Sequence, residues 1–408
     1  MSSAQPFIDA TLARSRQLDR AYPQIDRSGS AAELVRTGIP AGKLETWKYT
    51  PIQAFFAAPF AELQPTTQPS RADVTFLDFA GAMRIPIHGA RSDLCVAVAK
   101  AGVNITTTHD ESTQRALNAD VDLERYPLAH VNTALLEDAL VIDVDAGIDA
   151  GTFDLRFASG TGAANVSRVV IRLGDDSTLK VIEQRGEDVP TNSVIEIHVG
   201  ANARVEHTRV LPAAVPPCWY LVSVTVGAAG SYSLVGHAVG SKTRRSDVHV
   251  RLVGHHATTD IDLACATIDR DRLDHQVVVE HIGVDTVSRQ IVHGIAAGSS
   301  ELTFNGRIHI HPGAQRSDAR LTNKNLLLDR KARINTKPEL EIYANDVKCS
   351  HGATVGQIDP TQLFYLRTRG LDEVMARAML TRAFLASRMT PWMKDAGVLG
   401  IYTDLFSL

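Results

Sequence analysis

The sequence predicts a mainly β chain, a parallel β-helix between helical ends, and three observations predict it. Short aliphatic strands recur from about Val141 to Leu328, each closes at or near a glycine, and helical periodicity gathers at the two termini. Those glycines, Gly174, Gly200, Gly227, Gly254, Gly283 and Gly313, stand 26, 27, 27, 29 and 30 residues apart, which fits one coil per period. A strand of such a coil cannot bury its inward face alone, whereas stacked coils bury a continuous aliphatic stripe and pair every backbone edge. An antiparallel sandwich with evenly spaced turns would give the same spacing, and periodicity alone leaves that reading open.

The elements follow in order. Phe7, Ile8, Thr11, Leu12, Ser15 and Leu18 fall at helical spacing, and Ala31 to Val35 makes a second short helix ended by Gly38 and Pro40. A Pro, Thr and Gln-rich stretch between Pro59 and Pro69 marks a connector, so an N-terminal helical region is expected over 1–70. The β-helix core is expected over 71–358, with regular coils from about 141. Positions one, three and five before the first three glycines supply Leu173, Ile171 and Val169, then Val199, Ile197 and Ile195, then Val226, Val224 and Val222. Glycine at the corner suits a positive φ or a close backbone approach. Before Gly254 the stripe shifts by one residue to Val248, Val250 and Leu252, and before Gly283 its middle position is Glu280; a bulge or an altered corner is expected there. A C-terminal helical region over 359–408 opens with the cap Asp359-Pro360, stops at Gly370, and restarts at Asp372-Glu373 with Val374, Met375, Ala378, Met379 and Leu385. Such apolar faces either pack on their own domain or dock a partner.

Composition bounds the function. Hydrophobic residues are 44% and charged residues 22% of the 408, ordinary globular usage that excludes a disordered chain. Lys+Arg 42 against Asp+Glu 46 gives a net charge of −4 with no basic block, so no nucleic-acid partner is expected. Cys95, Cys218, Cys265 and Cys349 form no C-x-x-C pair, and the first residues hold no apolar signal core; a cytoplasmic protein is expected. There is no run of about eighteen uninterrupted apolar residues, so no membrane partner is expected either.

Signatures of catalysis are scarce: H-E-x-x-H, G-x-S-x-G and a strand-to-helix G-x-G-x-x-G are all missing. In Gly236-His-Ala-Val-Gly-Ser241-Lys242-Thr243, Ser241 stands where a phosphate-binding loop needs its second glycine, so no ATP site is expected, and Lys242, Arg244 and Arg245 read as a solvated turn. Asp260 and Asp262 share one strand face, the pattern of a β-helix enzyme acting on carbohydrate, although alternating carboxylates are most often solvated. Histidines His198, His207, His249, His281, His293, His309 and His311 lie on predicted strands, and His309 with His311 points to one face. Spacing supplies no three or four converging ligands, so no intrachain metal cage is expected. The strongest constellation is Asp346-Val-Lys-Cys349-Ser-His351-Gly352: in an extended segment Cys349 and His351 share a face, both are competent ligands for iron, and nearby Lys348 favours the thiolate. Two ligands are half a site, and a cluster needs the rest from another chain.

Within Leu326 to Asp359 the run Asn335-Thr-Lys-Pro-Glu-Leu-Glu-Ile-Tyr-Ala-Asn-Asp-Val-Lys-Cys-Ser-His-Gly-Ala-Thr-Val-Gly356, continuing through Leu363-Phe-Tyr-Leu-Arg-Thr-Arg-Gly370, resembles the C-terminal signature of the SufD family of iron-sulfur cluster assembly proteins. Glu45-Thr-Trp-Lys-Tyr-Thr-Pro51 resembles that family's N-terminal motif, and Val131-Asn-Thr-Ala with Val141-Ile-Asp-Val its entry into the β region. The resemblance implies a right-handed parallel β-helix flanked by helical regions. It also implies a non-catalytic scaffold subunit assembled with the paralogue SufB and two copies of the ATPase SufC. It carries onto His351 the role of joining SufB residues in holding a transient iron-sulfur cluster, with Cys349 as its neighbour, and onto Leu363, Phe364, Val374, Met375, Ala378 and Met379 the SufC dock. No ATP is then bound by this chain, and a homodimer in isolation is compatible with the family. SufB is the alternative within the family; the Val-Lys-Cys-Ser-His-Gly-Ala-Thr-Val-Gly run and the few cysteines favour SufD.

Overall fold

The computed structural model describes residues 4–39, 45–56, 76–88, 100–107, 117–158, 164–214 and 216–406. The connector between Pro59 and Pro69, and Cys95, lie outside them. Helices α1 (Gln5–Ala21), α2 (Ser28–Thr37), α3 (Gln53–Phe56) and α4 (Pro127–Leu135) belong to the first third of the chain. The strands begin with β1 (Met83–His88), β2 (Val103–Thr107), β3 (Leu140–Val144), β4 (Asp149–Ala158), β5 (Asn165–Leu173) and β6 (Thr178–Gly186). They continue with β7 (Thr191–Val199), β8 (Arg204–Leu211), β9 (Cys218–Val226), β10 (Ser231–Val239), β11 (Arg244–Leu252) and β12 (Thr258–Thr267). The last are β13 (Arg272–His281), β14 (Val287–Ala296), β15 (Glu301–Ile310), β16 (Asp318–Leu327), β17 (Arg333–Ile342) and β18 (Lys348–Gly356). Helices α5 (Pro360–Thr368), α6 (Glu373–Ala386), α7 (Pro391–Asp395) and α8 (Thr403–Phe406) close the chain.

From β3 onward successive strands alternate between two sheets, β1-β4-β6 and on to β18 in one, β2-β3-β5 and on to β17 in the other. Among the described residues every pairing between these strands is parallel except β2 with β3. This is a two-sheet β-solenoid, not a sandwich of antiparallel hairpins: each coil contributes one strand to each sheet. The period that spaces the glycines stacks like residues on like. Ile171, Ile197, Val224, Val250, Val279 and Ile308 pair in one unbroken ladder, all of them buried. Parallel strands covered on both faces read as continuous aliphatic runs, which is what these segments show.

The corners differ from expectation in an instructive way. None of Gly174, Gly200, Gly227, Gly254 and Gly283 has a positive φ; the left-handed residues are Asp176, Asn202, Ala229, His256 and Asp285, two positions later, with φ between 52° and 61°. The glycines are there because coils touch: a Cβ on Gly254 would sit 2.0 Å from Ala228 N, and one on Gly283 would sit 2.2 Å from Gly254 O. The altered stripe before Gly254 and Gly283 produces no bulge. Leu252 stays opposite Val226 and His281, and the extra residue is absorbed in the corner, where Val253 N and Gly254 N both donate to Val226 O. The register break lies elsewhere, between Asp149 and Thr152.

Terminal helices cover the sides of the stack. Helices α1, α2 and α4 bury Phe7, Leu34, Val131 and Leu135 with Val166, Val194, Trp219 and Leu221 of the β2-to-β17 sheet. Leu385, Met389, Met393 and Tyr402 of the C-terminal region pack on Ile182, Val210, Ala264 and Ile295 of the other. The Asp359 and Asp372 carboxylates accept from Thr361 N and Met375 N at 2.8 Å, the caps that start α5 and α6. Among the described residues no helix is long and apolar enough to cross a membrane.

Candidate functional site

The site is built from where the coils stop. β17 and β18 are the last strands of their sheets, and pairing fixes which way their side chains face. Cys349 lies opposite Ala319, His351 opposite Leu321, Ala353 opposite Asn323 and Val355 opposite Asn325, and these β16 residues are the buried, inward-facing set. Cys349, His351, Ala353 and Val355 therefore continue the inward column past the point where another coil would cover it. His351 is exposed, Val355 is 48% exposed, and Cys349 is half-buried against the solenoid core. On the facing sheet Leu340 and Ile342 continue the ladder of Ile308 and Ile310, and Ile342 is 41% exposed.

The thiol is not the ready thiolate that Lys348 beside it suggested. Burial, with the Asp318 carboxylate next in weight, pushes Cys349 up to about 11, so in the isolated chain it is protonated at neutral pH and needs a cation to give up its proton. Polar groups line the same end: Thr336 Oγ1 donates to Asn323 Oδ1 at 2.7 Å and Asn325 Nδ2 to Thr354 O at 3.0 Å. The end thus offers an imidazole and a thiol on one face, above a floor made by Ala319 and Leu321.

The residues expected to dock a partner fall on the C-terminal helices. Phe364 is 69% exposed and Val374, Met375 and Met379 are exposed with it, while Leu363 and Ala378 are half-buried. Helix α6 turns Ala376, Thr381 and Leu385 toward the protein and leaves Val374, Met375 and Met379 facing solvent.

Other sequence candidates have structural duties. Arg244 and Arg245 are buried, not solvated: strand β11 carries them under neighbouring segments, where Arg244 donates to Leu211 O and Pro212 O and Arg245 sits 3.8 Å from the Trp47 ring centre while pairing Asp247 at 2.9 Å. Lys242 remains exposed. The Glu45 to Pro51 motif is thereby a clamp: Thr50 bonds Asp274, and Glu45 reaches Lys337 on β17 at 2.6 Å. Val131-Asn-Thr-Ala lies in fully buried α4, where Asn132 donates to Ser167 O and Asn192 O. Asp260 faces Arg289 at 3.8 Å and Asp262 holds Arg388 at 3.2 Å, so these carboxylates serve ion pairs.

Sequence spacing missed two groupings that share Glu280. Glu280, His309 and His311 present ligand atoms within 4.8 Å of one another, and Asp122, His249 and Glu280 do the same. The signal was present as Glu280 itself, an acid at a position the stripe reserved for an aliphatic residue; it turns outward because Val279 and His281 hold the inward column.

Comparison with known proteins agrees with this architecture. Residues 156–384, more than half of the chain, match the family model "SUF system FeS cluster assembly, SufBD core domain". The chain is 29% identical over 383 residues to the iron-sulfur cluster assembly protein SufD of Escherichia coli, covering 90% of this chain and 88% of the relative. It is 25% identical over 386 residues to a SufBD family protein of Synechocystis, covering 88% and 85%. It is 33% identical over 128 residues to SufD of Bacillus subtilis, covering 31% and 28%.

Proposed function

This chain belongs to the SufBD family of SUF-system iron-sulfur cluster assembly proteins, and from that membership we propose that it is a non-catalytic scaffold subunit whose uncovered coil end completes a cluster-building site with a SufB paralogue. The observation that carries the reading is His351: an exposed imidazole on the last strand, in the inward column, with Cys349 two residues away on the same face. Imidazole and thiolate are both iron ligands, and two of them leave room for a second chain to supply the remainder. The nascent cluster is cargo shared between subunits. Its arrival is what lowers the Cys349 thiol from about 11, since a bound cation replaces the proton that burial retains.

The exposed apolar residues of α5 and α6 support the second half of the reading, a dock for the ATPase SufC, whose movement the helices pass to the coil stack. Large apolar side chains left on a surface mark an interaction site. The missing second glycine at Ser241 is consistent with ATP being bound by the partner and not by this chain. We place the assembly in the cytoplasm.

The test is His351→Ala in the complex reconstituted with SufB and SufC. Cluster formation, followed by visible absorption and by iron and sulfide analysis, is expected to fall at least about tenfold while the complex elutes intact; undiminished assembly in an intact complex overturns the ligand role. Met375→Asp with Phe364→Asp is expected to lose SufC while retaining SufB in a pull-down, and retention of SufC overturns the dock.

A further inference from the structure

A second constellation stands on the outer face of the β2-to-β17 sheet, on residues other than those of the open end. Glu280 on β13 lies between two imidazoles: His249 Nε2 donates to its Oε1 at 2.7 Å and His311 Nε2 to its Oε2 at 2.8 Å. His309 is opposite Glu280 in the β13–β15 register, and its ring stacks on that of His311 with centres 4.0 Å apart and planes 16° apart. The exposed Tyr343 ring borders His309 at 5.5 Å. Glu280, His309 and His311 are half-buried, whereas His249 is fully buried behind them.

Each feature suits a cation. Two imidazoles and one carboxylate converging on a point are the donor set of the two-histidine, one-carboxylate metal face, which leaves its remaining positions to water or to further ligands. The His249 hydrogen bond to Oε1 fixes the Glu280 carboxylate so that its Oε2 faces His311. A buried histidine that fixes a ligating carboxylate is the second layer such sites require. Half-exposure gives an ion a way in.

We infer that Glu280, His309 and His311 bind a divalent first-row transition ion, with His249 as the positioning residue and Asp122, whose carboxylate lies within 4.8 Å of the His249 and Glu280 ligand atoms, as a further oxygen donor. Imidazole nitrogen selects such ions over Mg²⁺ and Ca²⁺, and the set holds no thiolate of the kind that selects Cu⁺. The inference does not depend on the role of Cys349 and His351.

The experiment uses the full chain with Cys349→Ala and His351→Ala, which removes the open-end ligands. Zn²⁺ titrated calorimetrically is expected to bind one per chain. Co²⁺ is expected to give weak visible d–d bands without the intense near-ultraviolet charge transfer of a thiolate ligand. Mg²⁺ at the same concentration is expected not to compete. Adding His309→Gln is expected to weaken Zn²⁺ at least about tenfold, and adding His311→Ala as well to abolish binding, with unchanged circular dichroism as the check on folding. Absence of Zn²⁺ binding to the starting chain, equal competition by Mg²⁺, or Zn²⁺ binding that survives the two added substitutions overturns the site.

Discussion

On β1, the first strand of its sheet, inward-facing Ile85 is 0% exposed; on β18, the last strand of the same sheet, inward-facing Val355 is 48% exposed. The two strands occupy equivalent ends of one stack, pair in parallel with their single neighbour, and differ in whether their inner column is covered. The buried end behaves as ordinary core. The uncovered end carries a thiol and an imidazole in the positions where core residues belong, and a solvent-facing core position is a request for a partner surface.

The comparison can be broken most directly in the buried half. Arg168 and Glu196 form a fully buried pair at 2.6 Å that also holds Asn118, Asn132 and Thr133 in place. Arg168→Ala is expected to cost about 3–5 kcal/mol in denaturant unfolding, because the buried Glu196 loses its opposite charge and keeps only the Asn118 and Asp120 backbone N–H groups as partners. The exposed Arg320–Asp318 pair on β16 is the control, and Arg320→Ala is expected to leave the unfolding midpoint where it is. Next in size, Ile85→Ala is expected to cost about 2–5 kcal/mol, and Ile342→Ala, at the uncovered end, under about 1 kcal/mol. Equal losses would mean that both ends are core.

Acid sharpens the contrast further. Burial depresses His237 to about 4, His275 to about 3 and His281 to about 4. Each is neutral in the fold but protonates near 6.5 once unfolded, so the unfolded chain binds more protons and stability falls as pH drops from about 6.5 toward 3. His275→Phe, which removes one of the three, is expected to make that decline shallower, measured as the unfolding midpoint between pH 7 and 4. The smallest effect belongs to Cys349. Its thiol, held near 11, is expected to react with iodoacetamide at pH 7 far more slowly than an exposed cysteine and to accelerate as pH rises toward 11. Asp318→Asn, which removes the second cause of the shift, is expected to bring that acceleration to lower pH.

Much of the fold was legible because the solenoid repeats. Stacking Ile171 on Ile197 on Val224 needs residues of one kind at one interval, and the interval is written in the glycines. The corners were less legible, since Ala229 and His256 take a left-handed conformation that their identities do not announce; the neighbouring coils impose it. Arg244 and Arg245 read as solvated because nothing local shows that Trp47, some 200 residues earlier, lies across Arg245, or that the Leu211 and Pro212 carbonyls enclose Arg244. At the candidate site the pairing of Cys349 with His351 followed from strand alternation. The proton affinity of the thiol did not, since it depends on burial and on Asp318 across the sheet, and Glu280 could not be joined to His309 and His311 before register brought β13 beside β15.

Closed at β1 and open at β18, the inner column gives the stack a direction: inward-facing apolar side chains that a neighbour could cover along the axis, Val355 and Ile342, face solvent at the end where β17 and β18 stop.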